Sequence, residues 1–190
     1  MSDLVVCLAN RRWSCWYDRS QHLMAQCAQE RGAVFVEEPE FDSSGPDVEM
    51  SETRTGVITL IPHMPAGLTL EAVERAQRRA LDFVLAHLGA RHPVLWYYAP
   101  QALGYTDHIP AAAVVYDCLR PVDGIGRRHQ RLLERANLVF SPESPAATTW
   151  PTLWREMWSQ VESIGAPLAT FDDRTISDPL GVSIDRGARP

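Results

Sequence analysis

The stretch DLVVCLANRRWSCWYDRSQHLMAQCAQERGAVFVEEP, residues 3–39, decides the fold. It begins with an apolar run at 4–8, continues through a loop into a segment of helical periodicity, and ends in a second apolar run at 33–36. Asp18 and Gln21 have the spacing of a capping box, which marks the start of a helix. Strand, helix and strand form a βαβ unit, and its two strands are parallel because their connection carries a helix.

The remaining chain continues this alternation of apolar runs and helical periodicity. The patterns predict strands at 47–51, 56–61, 93–98, 112–116 and 137–140, and helices at 69–88 and 127–136. This order is typical of a Rossmann-like three-layer α/β domain with a mostly parallel sheet. No GxGxxG fingerprint follows the first strand and the sequence contains no P-loop, so a typical dehydrogenase and a P-loop enzyme are both excluded.

Composition narrows the functional classes further. The chain has 190 residues, of which 45% are hydrophobic, and this supports a domain with a substantial core. A net charge of −6 argues against nucleic acid as a general partner. The four cysteines lack CxxC spacing, so we expect free thiols and no metal site. Because the sequence contains no signal peptide and no apolar run long enough to span a membrane, we expect a cytoplasmic protein.

The loop at 10–18 is unusual for a connector, because it contains two Trp, one Tyr and two Arg. One interpretation is a rim of large side chains that covers the edge of the sheet. The other is a recognition loop for a ring-bearing, anionic ligand, since aromatic faces stack on sugars or bases and guanidinium groups match phosphates. In sheets of this kind ligands bind beyond the carboxyl ends of the strands, which points to this loop and to the turn at 37–39 as the places where a ligand would bind.

Three ionisable residues at predicted strand ends are the candidate catalytic groups. Asp117 follows a buried strand, where it would act either in catalysis or as a structural hydrogen-bond acceptor. Glu38 forms a pair with Glu37; a desolvated carboxylate pair can hold one proton and act as a general base, although one of the two could instead cap a turn. His63 is a second candidate base.

A second group of residues surrounds the same strand ends and is predicted to bind substrate. Arg19 lies at a predicted helix N-terminus, which suits a phosphate or a carboxylate. The predicted substrate-binding residues are Arg12, Trp13, Trp16, Arg19, His22 and Glu143.

Several segments resemble, in order and over most of the chain, bacterial GT-B glycosyltransferases of the family 1/family 4 type, including teichuronic-acid-type transferases. The matching segments are Arg12-Trp13, Gln21-His22-Leu23-Met24, Phe35-Val36-Glu37-Glu38-Pro39, Pro62-His63, Pro93-Val94-Leu95-Trp96-Tyr97-Tyr98, Val114-Val115-Tyr116-Asp117-Cys118 and Ala136-Asn137-Leu138-Val139-Phe140-Ser141. Two positions depart from the family pattern: Arg19-Ser20 stands where Arg-Pro is usual, and Leu119-Arg120-Pro121 lacks the second acid that usually follows Asp-Cys.

The resemblance implies the N-terminal, acceptor-side domain of a two-domain transferase. We expect that domain at 1–148, a Trp-rich helix at 149–165 that packs on it, and a loose tail at 166–190. The C-terminal domain, which binds the donor in such enzymes, is expected to be missing. The Trp row at 150, 154 and 158 is expected to pack; the alternative is an exposed partner surface.

The function implied by the resemblance is the acceptor-side half of nucleotide-sugar-dependent glycosyl transfer in cell-surface polysaccharide or glycolipid synthesis. The acceptor would be a sugar or a lipid-linked sugar, the nucleotide sugar is a possible substrate, and no cofactor is expected. The isolated monomer is expected to be inactive, with the donor-binding domain supplied by a partner chain or by a homo-oligomer. The alternatives are a non-catalytic binding or assembly module and another small α/β enzyme, because fold alone does not give function.

Overall fold

The computed structural model describes residues 4–9, 11–15, 18–118, 126–140, 149–164 and 184–185. The strands are β1 (Leu4–Leu8), β2 (Gly32–Val36), β3 (Asp47–Glu52), β4 (Ile58–His63), β5 (Val94–Tyr97), β6 (Ala113–Asp117), β7 (Leu138–Phe140) and β8 (Ile184–Asp185). The helices are α1 (Arg19–Cys27), α2 (Leu70–His87), α3 (Leu103–Thr106), α4 (Arg127–Arg135) and α5 (Trp150–Glu162). Within these parts of the chain, no helix is both long and apolar enough to cross a membrane.

All the described strands belong to one sheet, in the order β7-β6-β5-β1-β2-β4-β3-β8. β1 pairs in parallel with β2, with Leu4 opposite Gly32 and Leu8 opposite Val36. β3 runs antiparallel to its neighbour β4, and the other neighbouring strands are parallel. The predicted Rossmann-like α/β fold with a mostly parallel sheet is therefore confirmed.

Helix α1 begins where the sequence predicts it. The Asp18 side chain accepts a hydrogen bond from the Ser20 amide at 2.9 Å, and the Gln21 side chain accepts one from the Asp18 amide at 3.2 Å. This capping box satisfies amide groups that the first turn of a helix cannot pair internally. Leu23 and Met24 on the same helix are buried against the sheet.

Successive side chains of each strand point to opposite faces, and this alternation creates two cores. Val5 and Cys7 face the side covered by α1 and α5. Val6 and Leu8 face the side covered by α2, α3 and α4. The helices therefore cover both faces of the sheet, as a three-layer domain requires.

Helix α5 is anchored by aromatic side chains. Thr149 caps it by accepting a hydrogen bond from the Thr152 amide at 3.4 Å. Trp154 and Trp158 are buried in the core on the α1 side, and their ring centroids lie 5.1 Å apart. Full burial of one large apolar side chain stabilises a fold by about 1.5–3 kcal/mol, so these two rings hold the helix on the sheet. Trp150 is 38% exposed.

Two regions of the structure add to the sequence-based prediction. The 3₁₀ turn at Pro100–Ala102 and the single-turn helix α3 lie in a connection that the sequence patterns do not identify as helical. Of the segment expected to form a loose tail, the structure describes Ile184–Asp185, which pairs in parallel with Met50 and Ser51 of β3. The rest of that segment lies outside the described residues.

Candidate functional site

The strand order defines the place where a ligand would bind. From β1 the chain proceeds to β2 and β4 on one side of the sheet, and later to β5, β6 and β7 on the other. The switch point lies between β1 and β5, where the carbonyl oxygen of Leu8 accepts hydrogen bonds from the amides of Tyr98 at 3.1 Å and Ala99 at 3.2 Å. In sheets of this kind, ligands bind in the crevice at such a point, beyond the carboxyl ends of the strands.

A buried ion pair lies close to this point. Asp117 ends β6 with none of its surface exposed, and Arg19 is the first residue of α1. Arg19 Nε donates a hydrogen bond to Asp117 Oδ2 at 3.0 Å, and Arg19 Nη2 lies 3.5 Å from the sulfur of Met157 in α5. The contact joins β6 to both helices of this face, and it brings together two residues that the sequence predicts to be functional.

Tyr98 and Trp96 complete what we call the Asp117 cluster: Asp117, Arg19, Tyr98 and Trp96. Burial raises the pKa of Asp117 above its ordinary value, although the charge of Arg19 and the Tyr98 hydroxyl and Trp96 indole groups counteract this. Asp117 Oδ1, the Tyr98 hydroxyl and Trp96 Nε1 are all buried, and none forms a hydrogen bond of normal geometry with a described residue. A buried acid with a raised pKa at a ligand crevice is the kind of group that functional sites contain, although structural ion pairs also perturb pKa values.

Tyr98 and Trp96 are not among the predicted site residues. The signal for them was present, because both are aromatic, they lie two positions apart, and they occupy the end of the strand next to the switch point. Burial and the negative charge of Asp117 raise the pKa of Tyr98 well above its ordinary value, so its hydroxyl keeps its proton.

Arg12 binds a group of three carboxylates, and we call Arg12, Glu37, Glu38 and Glu40 the Arg12 cluster. Arg12 nitrogens lie 3.7 Å from Glu37, 3.6 Å from Glu38 and 3.1 Å from Glu40. Glu37 is buried, and the Glu38 side chain is 49% exposed. The structure therefore brings predicted residues Arg12 and Glu38 together, but in a contact that fastens the loop after β1 to the turn after β2.

Two predicted substrate-binding residues lie in packing contacts. Trp13 is 8% exposed and meets the ring of Phe35 edge to face, with centroids 5.0 Å apart, so it belongs to the core and does not offer an open stacking surface. The ring of His22 stacks on Trp150 of α5 at 4.2 Å and 8°. Burial lowers the pKa of His22, against the opposing effect of Asp18, which favours the neutral imidazole in this stack.

His63 lies at the end of β4 with carboxylates on both sides of its ring. Its Nδ1 is 2.8 Å from Asp42 Oδ1, and its Nε2 is 3.6 Å from Glu49 Oε2. Burial alone would lower the pKa of His63, but the hydrogen bond with Asp42 and the nearby carboxylates raise it above its ordinary value. The ring also borders a groove of about 480 Å³ between β3, β4 and α2.

The remaining candidates divide into thiols and residues that the structure does not describe. Cys7 and Cys27 are buried and burial raises the pKa of both thiols, so they are packing groups and not nucleophiles. All four cysteines are among the described residues and none forms a disulfide. Trp16 and Glu143, both predicted to bind substrate, lie outside the described residues.

The fold and the Asp117 cluster define an α/β domain of the Rossmann-like class with an acidic group at its switch point. The sequence matches no known protein family. It also matches no curated protein. Among solved structures, the chain is similar to a sucrose-phosphate synthase from Thermosynechococcus elongatus, with 13% sequence identity, a TM-score of 0.46, and coverage of 85% of this chain and 98% of the other. A likeness at this level says nothing about function.

Proposed function

We propose that this protein is glycosyltransferase-like and binds a phosphorylated sugar ligand at the Asp117 cluster. The observation that supports the proposal is the Arg19–Asp117 pair, which holds a guanidinium group at the N-terminus of α1, beside the switch point of the sheet. A helix N-terminus and an arginine both favour phosphate. Nucleotide sugars and lipid-linked sugars both carry phosphate, and these are the donor and acceptor classes that the sequence resemblance implies.

In this proposal Arg19 contacts the ligand and Asp117 positions Arg19. Asp117 has no exposed surface, so it acts on a ligand through the guanidinium group that it holds. The sequence predicts Asp117 as a candidate catalytic group, and its raised pKa is compatible with such a role only where a ligand reaches its buried carboxylate.

The same proposal assigns the acceptor side of the reaction to this chain. All the described strands belong to one sheet, and transfer in two-domain enzymes requires a second domain that brings donor and acceptor into contact. We place the donor-binding surface on another domain, a partner chain or a second copy of this chain. We further propose that the reaction takes place in the cytoplasm and contributes to the synthesis of cell-surface polysaccharide or glycolipid.

A second candidate function is a non-catalytic binding or assembly module on the same fold. One observation favours it: each predicted catalytic side chain already has a charged partner. Asp117 binds Arg19, Glu38 lies beside Arg12, and His63 pairs with Asp42. Side chains held this way maintain structure without any reaction.

Calorimetric titration with a panel of sugar phosphates, which carry the phosphorylated-sugar group of a lipid-linked acceptor, tests the proposal; nucleotide sugars, whose binding surface we place elsewhere, are the comparison. We expect binding that Arg19→Gln weakens at least about tenfold, which is the loss of a charge-assisted contact of about 1.4 kcal/mol or more. Arg75→Gln is the matched control, because Arg75 pairs with Glu71 on the exposed face of α2. Equal binding by the Arg19→Gln variant would contradict the proposal. No binding by the wild type, together with a stable complex with another protein, would favour the module.

A further inference from the structure

One atom from each of Glu40, Asp42 and His63 lies within 4.8 Å of the others. We call these three residues the His63 cluster. The sequence offers no spacing signal for it, since Asp42 lies in the loop between β2 and β3 and His63, 21 positions later, ends β4. Neither the fold nor the proposed phosphate site accounts for this convergence of two carboxylates on one imidazole.

The backbone holds this arrangement in place. Glu40 forms a parallel bridge with His63: the Glu40 amide donates to the carbonyl of Pro62 at 2.8 Å, and the Met64 amide donates to the carbonyl of Glu40 at 2.8 Å. Asp42 is fixed to His63 Nδ1 at 2.8 Å. The backbone positions of Glu40 and His63 therefore follow from strand pairing, whereas Asp42 is held by its side-chain contact with the imidazole.

A fourth carboxylate lies behind the imidazole ring. Glu49 of β3 approaches the opposite ring nitrogen, His63 Nε2, at 3.6 Å. Histidines that bind a metal through one ring nitrogen usually direct the other towards a carboxylate or a carbonyl group, which fixes the ring and makes the ligating nitrogen more basic. Glu40, Asp42 and Glu49 also give this end of β4 an excess of negative charge, of which Arg12 offsets one unit through its contact with Glu40 at 3.1 Å.

We propose that Glu40, Asp42 and His63 bind a divalent transition-metal ion at the carboxyl end of β4. One imidazole nitrogen with two carboxylate oxygens suits Zn²⁺ or Mn²⁺ better than Mg²⁺ or Ca²⁺, which prefer oxygen alone. Asp42 is 52% exposed, so the ion keeps water ligands and exchanges, unlike a closed structural zinc site.

The location gives the ion access to a ligand. The groove beside His63 has Met64, Phe83 and Val48 among its apolar residues and Arg79 as a cationic one. His63 is the member of the cluster that lines this groove, and Asp42 is half exposed, so an ion held there would have coordination positions open to solvent or to an anionic group. This site contains neither Arg19 nor Asp117, so its test is independent of the phosphate proposal.

Calorimetric titration of the metal-free, tag-free protein with Zn²⁺, Mn²⁺ and Mg²⁺ tests the inference. We expect one equivalent of Zn²⁺ or Mn²⁺ to bind and Mg²⁺ to bind at least about tenfold more weakly. His63→Gln and Asp42→Asn should each weaken binding about tenfold or more, because loss even of a supporting residue typically weakens metal binding 10–100-fold. Circular dichroism confirms that each variant remains folded.

His108→Gln is the matched control. His108 Nε2 lies 2.6 Å from Asp82 Oδ1, and the two side chains are 23% and 48% exposed, close to the 17% and 52% of His63 and Asp42. This pair lacks the third ligand that would make a metal cluster among the described residues. We expect His108→Gln to change the affinity by less than about twofold. Three results would each overturn the inference: no Zn²⁺ or Mn²⁺ binding at millimolar concentration, unchanged binding in His63→Gln, or the same loss in His108→Gln.

Discussion

The rings of Trp96 and Trp154 lie 6.0 Å apart, centroid to centroid, and tie α5 to the centre of the sheet. Trp96 belongs to β5 and Trp154 to α5, and both are fully buried. Trp154 Nε1 also donates a hydrogen bond to Glu30 at 3.3 Å, which adds a contact with the turn that follows α1. Helix α5 is thus part of the core and not an accessory on its surface.

We expect Trp154→Ala to lower the free energy of unfolding by about 3–5 kcal/mol, because the substitution leaves a large cavity beside Trp96. The matched control is Trp150→Ala, which removes an exposed ring stacked on His22 and should cost about 1 kcal/mol or less. Urea denaturation measures both values. Equal losses in the two variants would contradict the assignment of Trp154 to the core.

The buried Asp117 carboxyl should make the free energy of unfolding decrease as pH rises. Burial raises its pKa in the folded state above the ordinary value near 3.8, so the folded protein keeps this proton at pH values where the unfolded chain has released it. The free energy of unfolding therefore falls as pH rises from about 4 through the raised pKa, and it levels off above that point. Asp117→Asn cannot titrate and lacks this component.

Urea denaturation of wild type and Asp117→Asn at pH steps between about 4 and 7 isolates this effect. We expect the stability of the wild type relative to the variant to decrease as pH rises. Arg19 stays protonated over this pH range. The loss of its carboxylate partner therefore changes the free energy of unfolding of the Asp117→Asn variant by an amount that does not itself vary with pH. A difference that does not change with pH would show that the Asp117 pKa is not raised.

The Arg12 cluster should be dominated by its shortest contact. A double-mutant cycle of Arg12→Gln with Glu40→Gln should give a larger coupling energy than a cycle with Glu38→Gln, because Glu38 is 3.6 Å away and half exposed. We expect about 1 kcal/mol for the first pair and a few tenths for the second. Both should shrink in about 1 M salt, where charges are screened over about 3 Å. A larger coupling to Glu38 would be the contrary result.

A buried hydroxyl pair should reveal the cost of an unpaired group. The hydroxyls of Tyr97 and Thr106 lie 2.7 Å apart, and Thr106 also donates to the carbonyl of Ala102 at 2.6 Å. Thr106→Val should cost about 1–3 kcal/mol because it leaves the Tyr97 hydroxyl buried without a partner. Adding Tyr97→Phe should cost less than the sum of the single changes. Thr55→Val, at an exposed turn, is the control in the same unfolding assay.

The elements that were predicted from the sequence are those with a local cause. Asp18 and Gln21 cap α1 through residues three apart, and Thr69 caps α2 through the amide of Ala72. Strands such as the one at 4–8 were predictable because every residue in the run is apolar, which by itself indicates burial. The segment from Pro100 to Thr106 was not predicted, because a few residues do not show a helical period.

The site was only partly predictable because its geometry depends on distant contacts. Arg19 and Asp117 were both candidates, but the sequence cannot pair residues 98 positions apart. A tryptophan in this loop looks the same in the sequence whether its ring faces a ligand or packs in the core. In the structure the ring of Trp13 packs against Phe35. His63 was a candidate alone; its neighbours Asp42 and Glu49 lie in a segment whose acidity is equally typical of a solvated surface.

Strand β3 lies near one end of the sheet, where, among the residues that the structure describes, Met50 and Ser51 pair with β8. Edge strands can recruit the strands of other molecules, and charged side chains discourage such pairing. Asp47, Glu49 and Glu52 place three acidic groups on this short strand. The same acidity that surrounds His63 therefore also protects the sheet from edge-to-edge aggregation, and the protein carries this protection wherever the carboxylates are ionised.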